Sequence, residues 1–243
     1  MPATPPPSPT AVSISAAAAS DDTRAIETPV APAHQRRKAE RPHELVDAAL
    51  DLFVEKGFAA TRIDEVARRA GVSKGTLYLY YASKEELLKA VIRERLSTEI
   101  AAAALTVAEH RGSSADLLTG PLAAWWARVI ASQASGVFKL IITEVRNFPE
   151  IAEFYRHEVI EPGHALIGRI LQRGIDGGEF RPVDIDATVH SLLLPMVMLC
   201  IHRHSLGVCQ PNEALQDPLV FIQHHMHLIL RGLARPDQAP NAS

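Results

Sequence analysis

Residues 71–87 read Gly-Val-Ser-Lys-Gly-Thr-Leu-Tyr-Leu-Tyr-Tyr-Ala-Ser-Lys-Glu-Glu-Leu, and this stretch decides the fold. Gly71 is able to adopt the left-handed backbone conformation that reverses a chain, and Ser73 is a residue type that caps helix N-termini. A short helix over residues 74–81 is therefore predicted directly after a three-residue turn. Two helices joined in this way, with small polar residues at the start of the second, are typical of a helix-turn-helix.

Helices are predicted on both sides of this turn. The first helix runs from Ala39 to a stop at Gly57, and its apolar residues share one face: Leu45, Ala48, Ala49, Leu52 and Phe53. The next helix covers residues 62–70, with Thr61 as its predicted N-cap. Downstream, Ser83 and Glu86 form a capping box that opens a long connecting helix over residues 84–110.

The rest of the chain is also predicted to be helical. Breaks at glycine and proline separate helices over residues 115–134, 137–147, 149–175, 186–205 and 217–233, and Pro162-Gly163 is expected to kink the third of these. No β-type alternation of useful length is present. The predicted fold class is all-α, with an N-terminal three-helix helix-turn-helix DNA-binding domain and a C-terminal helical domain for ligand binding and dimerisation.

Composition sets the predicted domain limits. Residues 1–35 are rich in proline and poor in large apolar side chains, which predicts a disordered tail. The DNA-binding domain is placed at residues 36–92, the ligand-binding and dimerisation domain at 93–235, and a flexible C-terminus at 236–243. The run Arg36-Arg37-Lys38 is interpreted either as an arm along DNA or as a solvated helix start.

Charge is distributed unevenly along the chain. The formal net charge is −3, yet residues 34–95 hold 13 Lys and Arg against 10 Asp and Glu. A basic excess confined to one segment is expected where a small module meets the phosphates of double-stranded DNA and the remaining chain does not.

The leading end of the second helix suits the major groove. Small side chains there let the backbone approach base edges, and the predicted base-facing residues are Ser73, Lys74, Gly75 and Thr76. Phosphate contacts are predicted around them, from Tyr78, Tyr80 and Lys84 and, at the N-terminus of the preceding helix, from Thr61 and Arg62. The alternative is that the tyrosines only pack a small helical bundle, and Tyr81 is assigned to the core.

Residues 71–87, together with the upstream residues 48–53 and 57–63, resemble the signature of the TetR family of transcriptional regulators. Residues 143–178 look like ligand domains of its AcrR-like branch. The resemblance implies a cytoplasmic regulator, most often a repressor, that binds a palindromic operator as a homodimer. It also implies phosphate contacts from the positions named above, although Tyr80 stands where histidine is commoner in the family.

Two further surfaces are predicted in the C-terminal half. The last helix spaces Leu219, Ile222, Met226, Ile229 and Leu233 at steps of three and four, which predicts a helix seam in a homodimer, with a monomer core as the alternative. An apolar pocket for a small, apolar or aromatic effector is assigned to Trp125, Trp126, Phe138, Ile141, Phe154 and Met196.

Several other function classes are disfavoured by the sequence. The chain has no repeated Glu-x-x-His pair, no phosphate-binding glycine loop and no nucleophile motif, so an enzyme is not expected. The longest apolar run, residues 192–201, contains a proline and falls short of a bilayer span, so no membrane role is expected. Histidines 202, 204, 224, 225 and 227 lack an acid or thiol on the same helical face, so neither a metal nor another cofactor is predicted.

Overall fold

The computed structural model describes residues 33–209, 215 and 217–234. This part of the chain holds twelve α-helices and no β-strand, which confirms the predicted all-α class. The helices are α1 (Ala33–Lys56), α2 (Ile63–Arg69), α3 (Lys74–Tyr80), α4 (Lys84–Ile92), α5 (Thr98–Glu109), α6 (Ser114–Leu117), α7 (Ala123–Ala131), α8 (Ser135–Glu144), α9 (Pro149–Tyr155), α10 (Glu161–Asp176), α11 (Ile185–His204) and α12 (Pro218–Leu233).

The first helix starts earlier than the sequence pattern predicts. Residues 33–38 already belong to α1, whereas the apolar pattern predicts its start at Ala39. Gln, Arg and Lys are good helix formers, which favours a helix through this stretch. The basic run Arg36-Arg37-Lys38 therefore lies on a helix. The remaining parts of the two predicted tails, residues 1–32 and 236–243, lie outside the described residues.

Helices α1 to α4 pack around a common core, which includes the fully buried side chains of Leu45, Phe53, Val66, Leu77 and Leu88. The turns between them are built as the sequence predicts. Gly57 ends α1 with a φ of 86°, and Gly71 reverses the chain with a φ of 67°. The Ser73 side chain accepts a hydrogen bond from the Thr76 backbone N–H at 3.0 Å, and Ser83 accepts one from Glu86 at 3.1 Å.

The N-cap of α2 is Arg62, so the prediction of Thr61 is wrong by one residue. The Thr61 side chain is buried, and its hydroxyl donates to the Gly57 carbonyl at 2.7 Å. It therefore ties down the loop after α1 and is not free to cap α2. The Glu65 carboxylate instead accepts a hydrogen bond from the Arg62 backbone N–H at 3.3 Å.

Three pairs of helices are continuous through π-helical segments. Arg93–Ser97 joins α4 to α5, Leu118–Leu122 joins α6 to α7, and Arg156–Ile160 joins α9 to α10. The long helices predicted over residues 84–110 and 149–175 are thus confirmed as continuous rods. The π-helical segment Arg156–Ile160 ends just before Pro162, which lies in the first turn of α10. The kink expected at Pro162-Gly163 stays a prediction.

The last helix faces its own subunit along the predicted seam. Asp217 caps α12 and Pro218 is its first residue, as predicted. However, Ile222, Met226 and Leu233 are buried, and α12 packs on α7. The seam prediction is therefore wrong for these residues, because spacing shows that they share a face without showing which neighbour covers it.

Helix α11 is long and apolar enough, by length and composition alone, to cross a bilayer: it has 20 residues and a mean hydropathy of 1.5. It packs against α8, α10 and α12 and carries a proline within its length. A helix in the core of a protein can have the same length and mean hydropathy, so these two values alone do not indicate a membrane-spanning helix.

Replacing Gly71 by Ala tests the turn. An Ala there meets no atom within 4 Å but must keep the positive φ, so we expect the free energy of unfolding to fall by about 1–2 kcal/mol. Gly75→Ala is the matched control, because Gly75 lies in helix α3 with ordinary contacts and should keep or gain stability. Urea denaturation measures both, and equal stabilities for the two variants would contradict the assigned turn.

Candidate DNA-binding surface and effector cavity

Helix α3 presents an exposed N-terminal end. Ser73, Lys74 and Gly75 are exposed, and Thr76 is half-buried with its hydroxyl 2.8 Å from that of Ser73. Tyr78 is exposed, and the Lys74 ammonium lies 5.8 Å from the centre of its ring. The structure thus brings five of the predicted DNA-contacting residues together on one accessible surface, because Leu77 alone anchors this short helix in the core.

Leu79 is a residue on this surface that the sequence analysis missed. Its side chain is 85% exposed, the highest value among the large apolar residues of the described chain. It lies two positions after the buried Leu77, which places it on the opposite side of the helix. Placing the predicted recognition helix on a helical wheel around Leu77 would have identified it.

Arg62 lies at the start of α2, next to this surface. Its side chain is 76% exposed and donates to Asp64 at 3.0 Å, which lowers the pKa of that carboxyl. Arg69 makes a similar exposed pair with Glu55. Exposed ion pairs contribute little net stability, so these arginines can exchange a carboxylate for a phosphate at small cost.

Two of the predicted phosphate contacts are directed into the protein. The Lys84 ammonium donates to the carbonyls of Phe58, Ala59 and Thr61 at 2.8, 3.2 and 3.1 Å, so all of its N–H groups have partners. Thr61 is itself buried, as described above. The assignment of both side chains to phosphate is corrected here, because each is used to satisfy carbonyls of the loop between α1 and α2.

The remaining tyrosines of the recognition helix are partly buried. Tyr80 packs against the core with part of its surface exposed. Tyr81 does the same, and its hydroxyl donates to the Pro42 carbonyl at 3.4 Å. Packing is thus confirmed for Tyr81. Tyr80 is partly buried and partly exposed, so its position is compatible with both packing and contact with DNA.

A cavity of about 300 Å³ lies in the helical body. Helices α5, α7, α8, α9, α10 and α11 line it, together with the π-helical segments before α5 and α10. Four of the predicted pocket residues are among its walls, namely Trp125, Trp126, Phe138 and Ile141. Trp125 and Trp126 pack edge to face with ring centres 5.0 Å apart.

The other two predicted pocket residues lie elsewhere. Met196 is fully buried in the core, while its neighbours Leu193 and Val197 reach the cavity. The Phe154 ring lies under the Arg93 guanidinium at 5.0 Å, and the adjacent Tyr155 lines the cavity instead. One residue along a helix turns the side chain by about 100°, which periodicity alone does not resolve when both neighbours are apolar.

Polar groups in the cavity wall are few. His164 and His190 contribute imidazole rings whose centres are 4.5 Å apart. Burial, reinforced by His190, lowers the pKa of His164. Burial raises the pKa of the Tyr155 phenol, which therefore stays protonated. The Trp125 indole N–H is buried and has no hydrogen-bond partner among the described residues. The sequence analysis missed both histidines, because they lie on different helices and no sequence pattern pairs them.

Aromatic contacts connect the DNA-binding end to the cavity-bearing body. Phe58, in the loop after α1, packs edge to face on Phe148, with ring centres 4.8 Å apart. Phe148 immediately precedes α9 and follows α8, two helices that line the cavity. The Lys84 ammonium lies 4.5 Å from the centre of the Phe58 ring. The loop that supports α2 is therefore in contact with the connection between two cavity helices.

Comparison with known proteins agrees with this architecture. Residues 45–91 match the family of bacterial regulatory proteins named tetR, and residues 112–207 match a tetracyclin repressor-like C-terminal domain. The HTH-type transcriptional regulator YfiR of Bacillus subtilis is 32% identical over 173 residues, covering 67% of this chain and 78% of YfiR.

Solved structures share the fold at lower identity. The fatty acid degradation regulator FadR from Bacillus halodurans is 21% identical, with a TM-score of 0.65 over 80% of this chain and 97% of that one. FadR from Bacillus subtilis, solved in complex with stearoyl-CoA, is 18% identical, with a TM-score of 0.59 over 79% of this chain and 98% of that one. With a helix-turn-helix at one end, a helical body at the other and a relative matched over most of its length, the chain belongs to the TetR family of transcriptional regulators.

Proposed function

We propose that this regulator is a repressor that binds a palindromic operator as a homodimer in the cytoplasm and is released by a small, mainly apolar effector. The observation that carries the proposal is the apolar cavity, whose helices α8 and α9 are joined through Phe148 to the loop that supports the DNA-binding helices. The domain limits 36–92 and 93–235, and membership of the AcrR-like branch, remain predictions.

The proposed DNA contacts follow from exposure. Ser73, Lys74, Gly75 and Thr76 would read base edges, because they lie at the accessible start of α3. Arg62, Tyr78 and Tyr80 would contact phosphates on either side. Leu79 is added as an apolar contact, since a thymine methyl group is the one apolar feature of the major groove. Thr61 and Lys84 would act indirectly, by holding the loop between α1 and α2.

The proposed dimer surface consists of exposed apolar residues on α11 and α12: Leu194, Met198, Val220 and Leu228. The two helices pack on each other, and His225 of α12 lies 3.1 Å from the Ser191 carbonyl of α11. Two such helices from each subunit would bury these residues in a four-helix interface related by a two-fold axis. Helix-turn-helix regulators commonly use a dimer of this kind to bind two half-sites.

The proposed release is a change in the spacing of the two recognition helices. An effector that widens the cavity would move α8 and α9, and Phe148 would carry the shift to Phe58 and the head. A DNA-binding dimer must match the roughly 34 Å repeat of the major groove. A preference of about 1–3 kcal/mol for the altered spacing changes DNA affinity about 5–150-fold. The stearoyl-CoA of Bacillus subtilis FadR is that protein's ligand; here the effector must suit this cavity's own residues.

Selection of DNA fragments from a random pool by the purified protein tests the proposed function. We expect enrichment of a two-fold symmetric sequence whose half-sites are centred about one helical turn, or a multiple of it, apart. Placing that sequence across a promoter should then lower reporter expression when the regulator is present. Enrichment of sequences without symmetry would contradict the proposed homodimer on a palindrome, and a rise in expression would contradict repression.

Comparing Lys84→Met with Arg62→Ala separates support from contact. Lys84→Met leaves three carbonyls without their ammonium donor, so we expect the free energy of unfolding to fall by about 2–3 kcal/mol. Arg62→Ala removes a 76% exposed side chain and should change stability little, while it flattens the salt dependence of DNA affinity by about one unit, as loss of one phosphate contact does. Denaturation and binding titrations at several salt concentrations measure both. If instead Lys84→Met kept full stability and flattened the salt slope, Lys84 would be the DNA contact.

Leu228→Glu tests the proposed dimer surface. This residue of α12 is 54% exposed in one subunit and does not line the cavity, so a charge there is tolerated in the monomer but would be buried unpaired in the interface. We expect light scattering to give a monomer mass. Leu105→Glu, on α5 and 66% exposed, is the matched control and should remain dimeric. A dimeric Leu228→Glu protein would place the interface elsewhere.

A further inference from the structure

His164 and His190 form a polar pair in an otherwise apolar wall. They come from neighbouring helices, α10 and α11, and their rings meet edge to face at 78°. The His190 Nδ1 donates to the Asp186 carbonyl at 2.7 Å, so Nε2 is the ring nitrogen that remains available to a ligand. Among the described residues that line the cavity, no Asp, Glu, Lys or Arg is present. The two imidazoles are therefore the groups of this wall that can match a charge near neutral pH.

We propose that the effector is an amphipathic molecule whose apolar chain occupies the cavity and whose carboxylate head binds beside the His164–His190 pair. The inference rests on the proposed function for the response of DNA binding, whereas ligand binding itself can be measured without DNA. It places the head group at the junction of α10 and α11 and the chain among the tryptophan and aliphatic side chains.

The residues that line the cavity determine which head-group charge it favours. His190 is exposed and His164 is half-buried, so the pair lies at the rim of the cavity, where two imidazoles supply N–H donors to a carboxylate and, once protonated, a compensating positive charge. An amine head would find no carboxylate among the described residues of the lining and would repel a protonated histidine. An uncharged hydroxyl head could bind, but it would gain nothing from protonation of the pair. An anion is therefore the head group that uses both histidines.

The charges around the pair set the expected proton linkage. Burial and His190 lower the pKa of His164, and Asp186 on α11 opposes them. On α10 the nearest acid, Glu161, is already paired with Arg156 and His157. Burial thus favours the neutral form of His164 in the empty cavity, whereas a bound carboxylate favours the protonated form and raises the pKa of His164. Binding must then take up protons and strengthen as pH falls, until His164 is already protonated before the ligand binds.

Isothermal titration calorimetry with decanoate, decanol and decylamine tests this on the purified full chain, because the three probes share one alkyl chain and differ in head-group charge. At pH 6 we expect decanoate to bind at least about tenfold more tightly than decanol, the gain that one charge-assisted hydrogen bond supports, and decylamine most weakly. Repeating the decanoate titration in buffers of different ionisation enthalpy should reveal proton uptake. Decanol should show none.

The double variant His164→Gln and His190→Gln should lose both the preference for decanoate and the proton uptake, while retaining decanol binding as a sign of an intact cavity. His43→Gln, an exposed histidine of α1, is the matched control and should behave as the unchanged protein does. Equal affinities for decanoate and decanol, absence of proton uptake, or no binding of any probe would each overturn the proposal.

A gel shift with the selected operator separates this inference from the proposed function. Decanoate that binds as described yet leaves DNA affinity unchanged supports the head-group assignment and overturns release by the cavity ligand. Symmetric operator binding by a protein that fails to bind decanoate preserves the proposed DNA-binding function and overturns the head-group assignment.

Discussion

The Lys84 ammonium group holds the loop on which the DNA-binding surface depends. It donates to three carbonyls of residues 58–61, a stretch without regular structure. The Thr61 hydroxyl closes the same loop from the other side. Because α2 starts directly after this loop and packs on α3, this one side chain from the start of α4 supports the position of both DNA-binding helices.

The same loop is the point at which the two ends of the molecule meet. Phe58 contacts both the Lys84 ammonium and the edge-to-face Phe148 ring, so a cation, a loop and the connection between two cavity helices are linked by direct contacts. A second contact runs in parallel, where the Arg93 guanidinium covers Phe154 of α9. Stiff contacts of this kind allow a small displacement at the cavity to reach the head, because packed aromatic rings cannot absorb it by changing rotamer.

The sequence predicted the helix-turn-helix well because each joint has a local cause: Gly57 and Gly71 supply positive φ, and Ser73 caps the next backbone N–H groups. It was wrong where a polar side chain has two possible kinds of partner. The sequence pattern indicates that Lys84 and Thr61 contact DNA, but in the folded chain both donate hydrogen bonds to carbonyls of the adjacent loop. The same reason explains the errors in the predicted seam of α12 and in two of the six predicted pocket residues. These residues are apolar, as are their neighbours along the helix. Only the packing of the helices determines whether each one lines the cavity, lies in the core or faces a partner.

The π-helical segments Arg93–Ser97 and Arg156–Ile160 contact each other, and their residues Leu96, Val159 and Ile160 form part of the cavity wall. A π turn holds one residue more than an α turn, and it arises when a single residue is inserted into a helix that keeps its ends in place. Removing one residue from either segment would restore a regular α-helix. The side chains that line the cavity would then rotate about the helix axis relative to the rest of the same helix. Cavity shape can thus diverge among related regulators by single-codon insertions and deletions, while the helices that hold the DNA-binding head stay in register.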